Sequence, residues 1–287
     1  MKYISPSFSE IKENDPYKKI ALVAHNCYQV EKQGQEELFV KRILSFKHYA
    51  MIEHMMFSCK IDKTAYEELI KFNNRFIVLV NDEGKYYASF SLRPLLEEKE
   101  LDKTPLSKLA YLLPEEMKSL LEGPFAPCEG HLLSEEEINS TPDKVYRKIK
   151  NVSIRMVTDR GVTHEIVRHR IASYAQESTR YCNYSKDKFG NELTFIKPID
   201  YDKFKDLYDA SFKQAEDNYF SLIKAGSTPE MARAVLPNKL KATIIMTASI
   251  EEWEVFFLLR CDQRAHPDMR ELAQPIEEYF KKEGYLR

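Results

Sequence analysis

The chain of 287 residues carries 43 basic and 45 acidic side chains, a net charge of −2, and is 43% apolar and 12% aromatic. That is enough apolar material for a folded core, and the balance gives no general attraction to nucleic acid or an anionic membrane, so any anion site must be local. No run approaches the roughly 18 uncharged apolar residues of a membrane span, and the start MKYISPSFSEIKENDPY lacks the basic-then-apolar layout of a signal peptide, so a cytoplasmic location is expected.

From Tyr17 to about Lys47, apolar residues at helical spacing (Ile20, Val23, Ala24, then Leu38, Ile43, Leu44) are broken by EKQGQEE, which predicts two helices joined by a loop. FKHYAMIEHMMFSCKI reads as a helix start leading into a strand from Met56 to Ile61, and FIVLVNDEGKYYASFSLR as two strands joined at a turn around Asp82 to Gly84. From about 94 to 147 the chain is charged and proline-studded with short amphipathic pieces, an excursion expected to pack on the main domain. Alternation at Val152, Ile154 and Met156 predicts a strand, and Thr158 or Asp159 a cap for a helix running to about Ser173. A loop from Asn183 to Gly190 and a helix over 202–225 follow, the latter ending near Gly226. Thr228-Pro229-Glu230 starts a short helix that Pro237 stops. LKATIIMTA is strand or buried helix, which periodicity alone does not decide. Ser249-Ile-Glu-Glu252 matches a capping box opening a helix toward Arg260, and RAHPDMRELAQPIEEYFKKE forms a terminal helix. The mixture is α+β.

Chemistry concentrates in RHRIASYAQESTRY, residues 168–181, where only Glu177 is available to pair with Arg168, Arg170 or Arg180. A charged helix face with Glu165 paired to Arg168 or His169 accounts poorly for Arg170, Ser178 and Arg180, which run on past one face. Planar guanidinium forks and rotatable hydroxyls suit phosphate or carbonyl oxygens, so a bound anion is the expected source of the missing negative charge. Among only eight glycines there is no G-x-G-x-x-G and no P-loop, so side chains must hold any phosphate. His164 and His169 sit five steps apart, roughly 140° round a helix, against about 40° in the zinc pattern H-E-x-x-H. No metal is expected there, nor from His48, Glu53 and His54. The cysteines at 27, 59, 128, 182 and 261 form no CxxC pair and read as free thiols.

The pattern Arg168-His169-Arg170, seven residues, Ser178, then Arg180-Tyr181 resembles the signature of the flavin-dependent thymidylate synthases. His48 with Glu53-His54 resembles that family's H-x4-E-H segment, MARAVLP (231–237) its block with a substrate arginine, and FFLLRCDQRAHPDMRELA (256–273) its terminal block. The likeness covers about 20–61 and 150–278, making the wider excursion of 62–148 an insertion within a single catalytic domain of 1–287. What the resemblance implies is a mixed α/β subunit of a homotetramer that binds FAD and dUMP at subunit interfaces. It would make dTMP with methylenetetrahydrofolate as one-carbon donor and NADPH as reductant.

By the same resemblance, Arg168, His169, Arg170 and Ser249 contact the flavin. Glu165, Arg168, Gln176, Ser178, Arg180, Arg233 and Arg260 hold dUMP, with Arg260 against the uracil edge, where a fixed cation favours ionisation. His48 lies near flavin and folate. Tyr49, Ala50, Ser249 and Val255 depart from the family's usual residues, and Glu165 stands where glutamine is common. A flavin delivers hydride without a protein nucleophile, which makes Cys182 a bystander, with Cys27 and Cys261. The rival expectations are a nucleotide-binding homologue without turnover, and an RNA-binding module stacking bases on Tyr174, Tyr181 and Tyr184; net acidity opposes the second.

Overall fold

The computed structural model describes every residue except 29–33 and 187–189, so parts of the expected loops at 31–37 and 183–190 lie outside the described residues. The strands are β1 (Lys2–Ile4), β2 (Ser7–Glu10), β3 (Met56–Ile61), β4 (Ile77–Asp82), β5 (Lys85–Ser91), β6 (His131–Leu132), β7 (Asn151–Asp159), β8 (Ser173–Gln176), β9 (Thr194–Ile196) and β10 (Lys241–Ser249). With helices on several sides, the architecture is α+β, as the sequence predicts. Among the described residues no helix is long and apolar enough to cross a membrane.

The sheet that positions the site has the order β2-β7-β10-β8, antiparallel throughout. β10 is buried on both faces. Ile244, Met246 and Ala248 meet Trp253, Phe256 and Phe257 of the helix Ile250–Arg260 and Ile276 and Phe280 of the helix Pro267–Lys282. Ile245, on the opposite face, packs with Val23 of the helix Pro16–Tyr28. A strand covered on both sides reads as one continuous apolar run, which is why LKATIIMTA left helix and strand undecided. Trp253 is core, with Nε1 donating to the Val152 carbonyl at 3.1 Å.

A second sheet, β4-β5-β3-β6, is built mainly from the excursion, but its strand β3 precedes it, so the excursion is pinned along the whole of β3 by β5. The hairpin β4–β5 turns where predicted, with Glu83 and Gly84 both at positive φ, as a tight hairpin turn requires. A third pair, β1 with β9, carries the helix Lys205–Lys224 on an aromatic cluster of Phe195, Phe212 and Tyr219.

Two local expectations need correction. The helix capped by Asp159, whose carboxylate accepts from the Val162 N–H at 2.8 Å, ends at Ile166 and not near Ser173. The chain tightens there, with Arg168 N–H on the Glu165 carbonyl and His169 N–H on that of Ile166. Ser173–Gln176 then satisfies the free edge of β10, with Ala175 opposite Ile245. Tyr174 seals the bend, its hydroxyl lying 3.0 Å from the Ile166 carbonyl and 2.7 Å from that of His169. Ahead of β3, the segment Tyr49–His54 is 3-10 helix, not the beginning of an α-helix.

Candidate active site

The bend puts the arginine motif outside any helix. Arg168 and Arg170 are exposed, and among the described residues neither side chain has a hydrogen-bond or ion-pair partner. His169 between them points inward, 4% exposed, its ring edge-on to Phe256 with centroids 5.6 Å apart. Burial, and then the charge of Arg260, push its pKa down, so the imidazole is neutral near pH 7. Its Nε2 lies 3.5 Å from Glu252, whose carboxyl burial pushes up and whose Oε2 accepts from the Ile171 N–H at 3.3 Å. Arg260 closes the group: Nη2 donates to the Glu165 carbonyl at 2.9 Å, while Nε is buried without a partner among the described residues. The pairing of the Glu165 carboxylate with Arg168 or His169 that a charged helix face would make, the reading the sequence disfavours, is absent among the described residues; Glu165 contributes its backbone.

Strand β8 leads from this bend into a cleft of about 410 Å³ lined by Cys27, Lys47, His48, Tyr49, Arg93, Gln176, Ser178 and Tyr181 among others. Gln176 is held by donation from Nε2 to Thr163 Oγ1 at 2.8 Å. Ser178 is fixed by its N–H on the Cys27 carbonyl, and its Oγ accepts from the Arg180 N–H at 3.3 Å. His48 reaches the same cleft because Glu53, five residues on, accepts from Ser173 Oγ at 2.8 Å, tying the 3-10 segment to the first residue of β8. Burial pushes the Cys27 thiol up to about 11, so it is no thiolate at neutral pH.

Beyond Ser178, Arg180 Nε donates to Glu230 at 2.9 Å and Arg233 Nη1 to Thr179 Oγ1 at 3.3 Å. Glu177, the one carboxylate within the motif, is buried and taken by Lys241 at 2.6 Å and the Tyr184 hydroxyl at 3.2 Å. It neutralises none of the motif's arginines. Arg168 and Arg170 therefore stay exposed without a carboxylate partner among the described residues.

The structure thus gathers His48, Gln176 and Ser178 in one cleft, Glu165, Arg168, His169, Arg170 and Arg260 around the bend, and Arg180 and Arg233 on its far flank. Ser249 stands apart at the start of the helix that ends in Arg260, roughly 16 Å away by helix rise. Its Oγ accepts from the Glu252 N–H at 3.4 Å; the other half of the expected capping box is not formed, because the Glu252 carboxylate turns to Ile171. His54 is fully buried away from the cleft. Sequence reasoning missed Arg93, Lys47 and Cys27 as lining residues; Arg93 lies in the excursion, where no pattern marks it.

Residues 148–283 match the family model of the thymidylate synthase complementing protein. That stretch belongs to this family. It takes in the arginine motif, MARAVLP and the terminal block, while the segment from His48 to His54 lies outside it. The chain is 37% identical to the flavin-dependent thymidylate synthase of Saccharolobus solfataricus over 123 residues, 43% of this chain and 46% of that protein. It is 37% identical to that of Pyrococcus abyssi over 131 residues, 45% and 53% of the two chains, and 37% to that of Geobacter sulfurreducens over 114 residues, 40% and 49%. The chain therefore spans about half the length of the curated relatives it matches. The family match begins at residue 148, where the excursion ends.

Proposed function

We propose that this chain is a cytoplasmic flavin-dependent thymidylate synthase. It converts dUMP to dTMP with methylenetetrahydrofolate as one-carbon donor and NADPH as reductant, and works as a homotetramer with its sites between subunits. The observation that carries the reading is convergence: His48 and Glu53, outside the family match, fold onto β8 beside Gln176 and Ser178, inside it.

The residues fit an anionic cofactor. Among the described residues Arg168 and Arg170 present unpaired guanidinium groups, and Arg260 Nε is a buried donor in want of an acceptor. Bound FAD supplies the hydride chemistry that no side chain here provides. Arg168 and Arg170 would hold it, with the buried His169 ring behind them against Phe256. Ser249 accepts the cap bond through its oxygen and keeps its O–H free to donate. Ser178, Arg180 and Arg233 bind the phosphate of dUMP, with Gln176 and Glu165 at its ring. Arg260, pinned by the Glu165 carbonyl, stabilises negative charge on the uracil edge. His48, in the same cleft as Gln176 and Ser178, would contact flavin and folate. The raised Cys27 thiol and the buried Cys182 argue against a thiolate nucleophile.

The 62–148 excursion is an insertion in this single catalytic domain. The sites complete themselves across subunits, which accords with exposed Ile171, Leu258 and Leu259 beside the cationic bend. The test is dTMP formation by the purified chain given dUMP, methylenetetrahydrofolate, FAD and NADPH, each omitted in turn. Product requiring both FAD and NADPH is expected. Tight dUMP binding without product would replace this reading with that of a nucleotide-binding homologue.

A further inference from the structure

Strand register decides where the excursion touches the site. Ser91, the last residue of β5, lies opposite Met56, the first of β3, so the chain leaving β5 emerges beside the Tyr49–His54 segment. There it begins a short helix, Arg93–Glu97, with proline at an early position. Arg93 is thus delivered to the wall of the cleft that holds His48 and Ser178.

We infer that Arg93 is a positioning residue of the candidate active site, through which the excursion fixes the cleft; the inference rests on the reading proposed above for its effect on turnover. The guanidinium is held on three sides. Nη1 donates to Glu53, Nε donates to Glu97 at 2.8 Å, and the ring of Phe76 lies 4.6 Å from its centre. Its side chain is 23% exposed and that of Glu53 14%, so the pair is screened from bulk water far more than a surface ion pair. The second oxygen of Glu53 accepts from Ser173 Oγ. One carboxylate therefore joins three segments distant in sequence: the excursion, the segment bearing His48, and the strand bearing Gln176.

A planar fork sets the angle between the two carboxylates it grips, which a lysine does not. Without it Glu53 loses its cationic partner while partly buried. It must then turn toward water, releasing Ser173 and letting the His48 side of the cleft drift from the Ser178 side. Arg93 is committed to protein carboxylates and need not touch substrate. Its effect passes through the placement of groups that do, and small misplacements cost up to about 100-fold in rate.

The experiment uses the full chain as Arg93→Ala and Arg93→Lys. Amide hydrogen exchange is measured over 49–54 and 173–178, alongside dUMP affinity by calorimetry, kcat/KM and the urea unfolding midpoint. Expected are faster exchange confined to those two segments and a fall of about 10- to 100-fold in kcat/KM with the unfolding midpoint little changed. Arg93→Lys should keep the midpoint but recover only part of the rate. Exchange and dUMP affinity equal to the parent overturn the inference, as does a loss of rate that merely follows global destabilisation. A parent chain that binds no dUMP overturns the functional reading, and the exchange measurement then decides the positioning claim by itself.

Discussion

His54 shows how far a single ring can couple acid stability to this fold. It is fully buried, with Nδ1 2.7 Å from Thr247 Oγ1, which also lies 2.7 Å from Ser153 Oγ. Burial first, and then the charge of Lys19, push its pKa down to about 3. In the unfolded chain it titrates near the ordinary value of about 6.5. Above that pH neither state is protonated and the stability is fully present. Between about 6.5 and 3 the unfolded chain binds a proton that the native ring refuses, and stability falls by up to about 1.4 kcal/mol per pH unit. His169, also lowered, acts with the same sign. His54→Asn keeps a polar partner for Thr247 but does not titrate, so its urea midpoint should change less between pH 7.5 and 5 than that of the parent; equal changes would refute the assignment. Arg260→Ala should lower turnover about 100- to 1000-fold while flavin stays bound. Equal loss of turnover and of flavin absorbance would show that Arg260 serves the cofactor. At this scale the motif itself was legible, since its spacing needs no fold. The fate of Glu177 was not, because its partner Lys241 arrives from β10, far along the chain.

Ser249 belongs to the next scale, where a side chain sets the start of an element. As cap of Ile250–Arg260 it satisfies one of the orphan N–H groups of a helix that carries both Glu252, against the arginine bend, and Arg260. Ser249→Ala should cost about 1 kcal/mol and Ser249→Asp should hold most of it. Chemical denaturation without cofactor measures this separately from any contact to flavin, and an alanine variant as stable as the parent would remove the cap from the account. Elements whose signals are local were readable from sequence. The β4–β5 turn carries Asp82 to Gly84, and the helix Lys205–Lys224 stops before Gly226, which sits at positive φ. Elements decided by their neighbours were not. The end of the helix at Ile166 depends on β10 taking Ser173–Gln176 as its edge, and β10 concealed its own type by burying both faces.

At the scale of the whole molecule, exposed apolar side chains gather beside the arginine bend. Leu258 is 75% exposed and Ile171 71%, with Leu259 and Val255 also exposed on the same helix. Glu252, Val255 and Leu259 recur at three- and four-residue spacing, so this apolar flank runs alongside the helix edge that meets Ile171. Monomeric proteins rarely leave such a patch open, and fully burying one leucine is worth about 1.5–3 kcal/mol. A second copy docked here would cover the patch and enclose Arg168 and Arg170 at once, joining assembly to ligand binding. Leu258→Glu places an unpaired charge in that contact. It should shift the sedimenting species to smaller mass with the far-UV circular dichroism unchanged. Because the shared site would come apart with it, turnover per chain should fall in the variant, and in the parent it should fall on dilution over the same concentrations at which the assembly dissociates. A Leu258→Glu chain of parental mass and parental activity would mean that this face is covered by something other than a second copy.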